Sequence, residues 1–396
     1  MAADTIDYIV SFVLFLGIMT AMIVTTTNNL NNVYTYQKSQ QISVVATNLM
    51  NGIVQNTGYP LDWGQSSVMP SSFGLKWPDG QSLMISPFAP LRLIQSSTSV
   101  NFQGAAYSEL SLDNSSLFMK ASDHLSYTNV SRLMNVNGQY GWRITYSPLL
   151  SVEVSPQTYV SGADFKVNAK VMSKIGPLSQ ANVNATLIYC SGGYPYPQYT
   201  QLPTATAISN SSGVATLEFP NFTPTVSYIV LVRATFSGLS GSGLHVEPPV
   251  STSQPLSVLV TNYEDGIVTI AHTKDIQSYP FSDPIYYNAT FIQPIGVLNY
   301  QCVSLSAPVG VVSPGNPESL NLGESKNNPG IILLLYRTSQ GVYGLTFVPW
   351  GITPLSLEVT FGDNPQSAST IIVKTATVNI NRFSYRLKIE LWNLET

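Results

Sequence analysis

The feature that most constrains this chain is an apolar run near its N-terminal end, residues 6–24 (IDYIVSFVLFLGIMTAMIV), which holds one acid, Asp7, and no base. A helix rises about 1.5 Å per residue, so about 20 apolar residues cross the roughly 30 Å hydrocarbon layer of a bilayer. The run therefore predicts a membrane-spanning helix. A buried core helix is the alternative, but a helix that is apolar on every side needs partners all round to bury it.

A cleaved secretory signal is a second alternative for the same run. Such signals begin with basic residues and end at a small-residue cleavage site, whereas residues 1–7 lack Lys and Arg and residues 25–28 (TTTN) are a poor site. We therefore expect the helix to be retained. Its orientation stays open, because the first base, Lys38, follows the run. The side chains expected to contact lipid or like subunits are Ile6, Tyr8, Phe12, Phe15, Gly17, Ala21 and Val24.

Helical spacing continues beyond the apolar run. Apolar and long polar residues recur at steps of three and four up to Ile53, and residues 57–60 (TGYP) then supply a stop signal. The pattern predicts one helix that ends near Gln55, with a half-polar stem after the apolar part. Residues 1–56 are therefore expected to form a transmembrane or pilin-like helix and its stem.

The composition favours an exported protein with many strands. Only 10% of the 396 residues are charged, against about 25% in an average soluble protein. The net charge is −4 and the bases are scattered, which argues against nucleic acid as a partner. The 26 Pro and 27 Gly punctuate short apolar runs, a pattern typical of strands joined by turns. We expect a mainly β chain of several domains behind one long α-helix.

Three segments after the helix carry a family resemblance. They are residues 58–64 (GYPLDWG), 73–75 (FGL) and 86–93 (SPFAPLRL). Together with the helix, they resemble archaeal surface proteins with type IV pilin-like N-termini, over roughly residues 1–150. The resemblance implies a filament subunit whose helix packs among like helices. The basic residue that precedes the apolar run in that family is missing here, so a bilayer anchor and a filament both stay open.

Residues 57–150 are expected to form a small α+β region. After a turn signal at Asn137-Gly138, the alternating residues Tyr140, Trp142, Ile144 and Tyr146 predict a strand that closes it.

Residues 151–248 are expected to form a β-sandwich. The segments at 164–172 (DFKVNAKVM) and 182–189 (NVNATLIY) alternate, and 228–236 (YIVLVRATF) is a nearly continuous apolar strand. With residues 211–219 (SSGVATLEF), this order resembles bacterial-type Ig-like surface modules. The resemblance implies an Ig-like fold that serves as a spacer or adhesion unit.

The rest of the chain is expected to form a C-terminal β-sandwich, residues 252–396. Residues 238–255 (GLSGSGLHVEPPVSTSQP) are rich in Gly, Ser and Pro, which predicts a linker before it. The last strand, residues 383–392, places Phe383, Tyr385 and Leu387 on one face and Arg386 and Lys388 on the other.

Nothing in the sequence predicts catalysis. The three histidines, His124, His245 and His272, lack the spacing of a helical zinc site, and no nucleotide-binding or nucleophile motif occurs. We expect no catalytic, metal or cofactor site. Asp62 beside Trp63 could be read as a sugar platform, but a turn residue next to a packed Trp is the simpler interpretation.

Two other residue sets fit an exported chain. Cys190 and Cys302 are candidates for a disulfide if the predicted domains touch, and two buried thiols are the alternative. Sequons for N-glycosylation all follow the apolar run, at Asn114, Asn129, Asn184, Asn210, Asn221 and Asn288.

The sequence thus favours a membrane-tethered extracellular surface protein, structural or adhesive, located in the cell membrane or in an extracellular filament. Its expected partners are membrane lipid or like subunits, in a homo-oligomer or filament. The alternative is a surface protein that binds carbohydrate or a partner through sandwich loops, with Tyr194, Tyr196 and Tyr199 as contact residues. An exported hydrolase ranks last.

Overall fold

The computed structural model describes residues 2–78, 80–81, 83–94, 98–112, 115–136, 138–247, 254–296, 298–353, 356–365 and 370–394, without the side chains of residues 2–7 and 112. Its first element is helix α1, Ala2–Gln55, of 54 residues. At about 1.5 Å per residue it is roughly 80 Å long. The prediction of one long helix that ends near Gln55 is confirmed.

Helix α1 divides into a free part and a packed part. Every described side chain from Tyr8 to Lys38 is exposed. Beyond that, Ile42, Ala46, Met50 and Ile53 are buried at steps of three and four. This spacing puts them on one helix face, which packs against the folded body.

The rest of the described chain is mainly β, as expected, with one short helix, α2, at Tyr127–Leu133. The strands, in chain order, are β1 Ser99–Phe102, β2 Ala105–Leu112, β3 Ser115–Lys120, β4 Tyr140–Pro148, β5 Ser151–Pro156, β6 Phe165–Ser173, β7 Gly176–Pro177, β8 Asn182–Gly192, β9 Gln198–Gln201, β10 Ala205–Ile208, β11 Val214–Phe219, β12 Tyr228–Phe236, β13 Leu239–Glu247, β14 Leu256–Asn262, β15 Ile267–His272, β16 Ile285–Ile295, β17 Asn299–Val303, β18 Val309–Val312, β19 Glu318–Asn321, β20 Gly330–Thr338, β21 Tyr343–Trp350, β22 Val359–Gly362, β23 Ile371–Ile380 and β24 Phe383–Asn393.

The packed part of α1 lies on an antiparallel sheet of order β22-β4-β24-β23, which we call the stem sheet. Only β4 comes from the first half of the chain. The other three strands are the last three, and β4 pairs with β24 along its whole length, from Tyr140↔Asn393 to Pro148↔Tyr385. On its other side β4 pairs with β22, which begins at Val359. Residues 149–358 are therefore inserted between two neighbouring strands of one sheet, β4 and β22.

A second sheet also combines early and late strands. Its order is β1-β2-β3-β14-β15-β19, and we call it the six-stranded sheet. Strands β3 and β14 run parallel, with Leu117 opposite Val258. The predicted boundary at residue 150 thus separates strands that pair with one another. Strand β3 alone would leave a sheet edge with unpaired backbone N–H and C=O groups, and so would β14. Each strand supplies the hydrogen-bond partners that the other needs.

The Ig-like region consists of two sheets. The outer Ig sheet has the order β11-β6-β5 with β7 on β6, and the inner Ig sheet has the order β10-β8-β12-β13 with β9 on β8. A shared core that includes Phe165, Val167, Leu187, Leu217 and Val230 lies between them. The sequence predicted such a β-sandwich here.

Strand β13 corrects the predicted linker. Leu239–Glu247 pairs with β12 in unbroken register, so these Gly- and Ser-rich residues form an ordered strand; residues 248–253 of that segment lie outside the described part. The small residues have a packing role, because β5 crosses closely over β13. A Cβ atom at Gly243 would overlap the carbonyl oxygen of Val152.

The last sheet, which we call the bridging sheet, has the order β17-β16-β20-β21 with β18 on β16. One face packs on the inner Ig sheet through Leu333, Leu335 and Phe347 against Ile188 and Leu231. Its other face belongs to the same core as the six-stranded sheet. The C-terminal sandwich therefore includes strands of residues 99–120, and the Ig-like region packs on it directly.

Candidate functional site

The free part of α1 presents an apolar surface on all sides. The exposed fraction is 81% at Tyr8, 58% at Phe12 and Phe15, and 53% at Val24. Ile6 lies in the helix, but its side chain is outside the described residues. Within the described part, this is the one helix whose length and composition would allow it to cross a membrane, and none of its apolar window is buried.

Two threonine hydroxyl groups, one within this apolar stretch and one directly after it, are hydrogen-bonded inside the helix. The hydroxyl of Thr20 donates to the carbonyl oxygen of Leu16, and that of Thr25 donates to Ala21, each at 2.8 Å. Such bonds remove the cost of placing a hydroxyl in hydrocarbon. Around Gly17, a Cβ atom would have no neighbour within 4 Å, so this face is open to a close partner.

The three motifs of the pilin-like resemblance meet where α1 ends. The indole Nε1 of Trp63 donates to the carbonyl oxygens of Thr57, at 3.0 Å, and Gly74, at 2.9 Å. Gly58 has φ +80° and faces the Trp63 ring, where a side chain would clash. The motif residues therefore form a collar that fixes the exit of the chain from α1.

Arg92 lies beneath this collar and is fully buried. Its Nε donates to the carbonyl oxygen of Asp123 at 2.7 Å, and its Nη1 donates to the carbonyl oxygens of Trp63 and Val68. Burial lowers the pKa of Arg92, while Tyr263 and Asp123 oppose that shift. This guanidinium ties the third motif to the first.

Asp62 and Trp63 do not form a sugar platform. Trp63 is only 1% exposed, and its indole nitrogen is used by the collar. The packed-Trp interpretation is the one that the structure supports.

A groove opens beside the packed part of α1, with a volume of about 530 Å³. Its lining residues are all uncharged: Gln41, Val45, Asn48, Leu49, Gly52, Ile53, Phe73, Met134, Asn135, Val136, Gln139 and Tyr140. A ligand or helix that entered it would meet amides and apolar side chains.

The histidines, cysteines and carboxylates that the structure describes are the candidate metal ligands. Within the described residues, no group of three or more His, Cys, Asp or Glu could hold a metal ion. Burial lowers the pKa of His124, His245 and His272 alike, and Glu247, 3.6 Å from His245, opposes the shift there.

Cys190 and Cys302 are both free thiols at the interface between the inner Ig sheet and the bridging sheet. Cys302 lies on edge strand β17. The chain around Cys190 instead contacts the opposite edge: the backbone N–H of Cys190 donates to Ser227, whose hydroxyl donates to Tyr343 on β21. Three strand spacings of about 4.8 Å separate the two edges, whereas a disulfide needs Cα atoms within about 7 Å. The candidate disulfide is not formed.

The sequons differ in accessibility. Asn210 and Asn221 are exposed in the turns before and after β11. Asn184 is only 7% exposed, and its Nδ2, the atom that would carry a glycan, donates to Asn299 at 2.8 Å. Asn288 is half-buried and donates to the carbonyl oxygen of Pro197 at 2.9 Å. Asn129 is half-buried on α2, and Asn114 lies outside the described residues.

The loop between β8 and β9, which carries Tyr194 and Tyr196, contacts the bridging sheet. Tyr194 is 83% exposed, and its ring centroid lies 4.9 Å from the guanidinium carbon of Arg337. Tyr196 packs edge-on against Tyr286 at 6.1 Å, whereas Tyr199 is half-buried in the interface beneath. The sequence did not point to Arg337, because an isolated arginine at the end of an apolar strand carries no pattern.

Comparison with known proteins gives weak likenesses. No protein-family model matches the chain, and no curated protein matches it. Among solved structures, the D0-D1 domain of intimin is 15% identical with a TM-score of 0.19, covering 52% of this chain and 99% of that one. Red sea bream transglutaminase is 14% identical with a TM-score of 0.17, covering 62% of this chain and 37% of its own. TM-scores this low carry no argument about what this chain does.

Proposed function

We propose that this chain is a membrane-tethered extracellular surface protein with a structural or adhesive role and no catalytic activity. The observation that carries the proposal is the free part of α1. Residues 8–24 expose apolar side chains on every side of a helix that extends away from a folded body. Burying that surface in hydrocarbon is strongly favourable, at about 25 cal/mol per Å² of apolar surface.

The folded body fits an exterior location. Only 10% of the residues of the chain are charged, against about 25% in an average soluble protein, so its polar surface relies largely on uncharged side chains. The C-terminal part of α1 packs on the stem sheet, so a body held by a membrane would stand off on the half-polar stem, residues 25–41, of about 25 Å.

Vesicle flotation tests the proposal. The intact chain in detergent is reconstituted into lipid vesicles, which are floated through a density gradient. We expect the chain to float, and the double variant Phe15→Lys, Met19→Lys to stay at the bottom, because each lysine at mid-bilayer costs about 2.5–3.5 kcal/mol.

Tyr36→Lys is the matched control, since Tyr36 is similarly exposed, at 65%, but lies on the polar stem. It should float as the unmodified chain does. Equal flotation of the double-lysine variant would contradict membrane insertion through α1.

A pilin-like filament subunit is the second candidate, and the small residues Gly17 and Ala21, one helical turn apart, would permit close packing of like helices. Close helix packing needs small residues there, whereas lipid tolerates larger apolar ones. Gly17→Leu should therefore float as before but abolish pelletable filaments if these form. If filaments persist in Gly17→Leu, packing through this face is excluded.

A further inference from the structure

One row of residues on the bridging sheet, away from the membrane helix, combines an arginine with tyrosine rings. Tyr286, Arg337 and Tyr343 are directly opposite one another on the neighbouring strands β16, β20 and β21. Their side chains therefore lie on the same face. The guanidinium carbon of Arg337 is 6.0 Å from the ring centroid of Tyr286 and 5.8 Å from that of Tyr343.

The loop after β8 closes over this row from the Ig-like region. The hydroxyl of Tyr343 donates to the carbonyl oxygen of Gly193 at 2.8 Å. The side-chain Nδ2 of Asn288 donates to the carbonyl oxygen of Pro197 at 2.9 Å. These bonds hold Tyr194 over the guanidinium. Three tyrosine rings thus surround one cation at the open end of the interface between two sheets.

The guanidinium has hydrogen-bond donors left over. Its Nε is buried without a hydrogen-bond partner, so the donors open to a ligand are those of Nη1 and Nη2, and within the described residues no nitrogen of this guanidinium is bonded to an acceptor or paired with a carboxylate. Asp283 precedes β16, close in sequence to this row, and its carboxylate accepts a hydrogen bond from Ser339 at 2.7 Å. The site therefore presents a positive charge with aromatic walls.

A purely structural clamp is the competing interpretation, since cation–π contacts also stabilise interfaces. Such a clamp would be expected to bury the ring that covers the cation. Tyr194 instead keeps 83% of its surface exposed. One part of the ring contacts Arg337 and the rest is available to a ligand.

We propose that Arg337 and Tyr194 form a binding site for an acidic saccharide. The carboxylate of a uronic-acid residue takes the free N–H donors of Arg337, for which a planar two-oxygen acceptor is the matching partner. The apolar face of the sugar ring stacks on Tyr194, with the hydroxyls of Tyr196 and Tyr286 at the margin. This site is independent of the membrane anchor, since it lies wholly on the folded body.

The test measures binding of oligogalacturonate to the full chain in detergent by titration calorimetry, with neutral oligogalactose as the comparison. We expect saturable binding with a Kd on the millimolar scale or tighter, typical of a small surface site. Arg337→Gln should weaken binding about tenfold, equivalent to about 1.4 kcal/mol. Tyr194→Ala should weaken it several-fold, and added salt should weaken it further.

Arg386→Gln is the matched control, because Arg386 is exposed on β24 and lacks the tyrosine walls; its binding should equal that of the unmodified chain. Thermal unfolding shows whether Arg337→Gln still folds. If Arg337→Gln does not fold, Tyr194→Ala, which removes only an exposed ring, tests the binding site instead. Absence of saturation at about 20 mM saccharide, equal affinity for the neutral oligomer, or unchanged binding by both variants overturns the proposal. None of these results bears on vesicle flotation, so the two proposals fail separately.

Discussion

The guanidinium carbon of Arg233 lies 4.8 Å from the centroid of the Phe383 ring. Arg233 belongs to the inner Ig sheet and is fully buried, whereas Phe383 begins the strand of the stem sheet that pairs with β4. The Nη1 of Arg233 also donates to the carbonyl oxygens of Ile295, Gly296 and Asn299 at 3.2–3.3 Å. One cation thereby joins the inner Ig sheet, the bridging sheet and the stem sheet.

Arg233→Ala should destabilise this junction by about 2–4 kcal/mol, because it removes a buried cation–π contact and the hydrogen bonds that Arg233 donates to three carbonyl groups, of which Gly296 alone keeps a donor in Arg382. Denaturant unfolding monitored by tryptophan fluorescence measures the loss. Limited proteolysis should show faster cleavage in the hairpin between β16 and β17.

Arg382→Ala is the matched control for this prediction. Arg382 donates to the same Gly296 carbonyl, at 2.8 Å, but from an exposed position. We expect a change within about 0.5 kcal/mol. Equal losses for both variants would show that burial of Arg233 contributes nothing to the junction.

Gly243→Ala should destabilise the Ig-like sandwich by about 2 kcal/mol or more, because its Cβ would overlap the Val152 carbonyl and push β5 away from β13. Gly17→Ala is the comparison, since space around Gly17 is open; there alanine should favour the helix by about 0.5–1 kcal/mol. Thermal unfolding of both variants checks the pair, and a neutral Gly243→Ala would exclude the close crossing.

The free energy of unfolding should fall as the pH drops through about 6.5. Burial lowers the pKa of His272 and of His124 in the folded state below 6.5, their usual value. The unfolded chain then takes up protons that the folded chain resists, so acid favours unfolding and stability returns as the pH rises. Urea unfolding between about pH 8 and 5.5 measures the slope.

His272→Gln should flatten that slope, because the Nδ1 of His272 accepts a hydrogen bond from the Lys274 backbone, which protonation would break. His245→Gln should flatten it less, since Glu247 favours the charged form of His245 and offsets its burial. An unchanged slope in His272→Gln would mean that this histidine does not couple folding to pH.

If the chain is N-glycosylated, glycans should occur at Asn210 and Asn221 and be absent from Asn184. The reason is access: the first two lie in exposed turns, while the Nδ2 of Asn184 is buried between sheets and bonded to Asn299. Glycopeptide mass spectrometry after expression in a glycosylating host measures site occupancy. A glycan on Asn184 of folded protein would contradict the packing between β8 and β17.

Local periodicity predicted the elements well. The three- and four-residue spacing of α1 and the alternation of β24, whose residues Phe383, Tyr385 and Leu387 are all buried, follow from burial on one face. The three motifs of the pilin-like resemblance were also visible in the sequence, and the structure shows that they contact one another. The indole of Trp63, in the first motif, donates to Gly74 in the second. The buried guanidinium of Arg92, in the third motif, donates to the carbonyl oxygen of Trp63.

Long-range pairing was not predictable from periodicity. Alternation tells which face of β4 is buried but not which strand lies beside it, and its partner β24 begins more than 200 residues later. The parallel pairing of β3 with β14 is hidden for the same reason. Arg337 was missed because its contacts are with Tyr194, Tyr286 and Tyr343. These residues are far apart in the sequence, and only the packing of two sheets brings them together.

The measurement that tests the central claim most directly is the fractionation of intact cells, combined with mass spectrometry of the N-terminal peptide. The account predicts that the chain stays with membranes through shearing and high salt, is released by detergent, and retains residues 6–24. Recovery of a soluble chain that begins after Val24 would show that the run is a removed signal and would contradict tethering through α1.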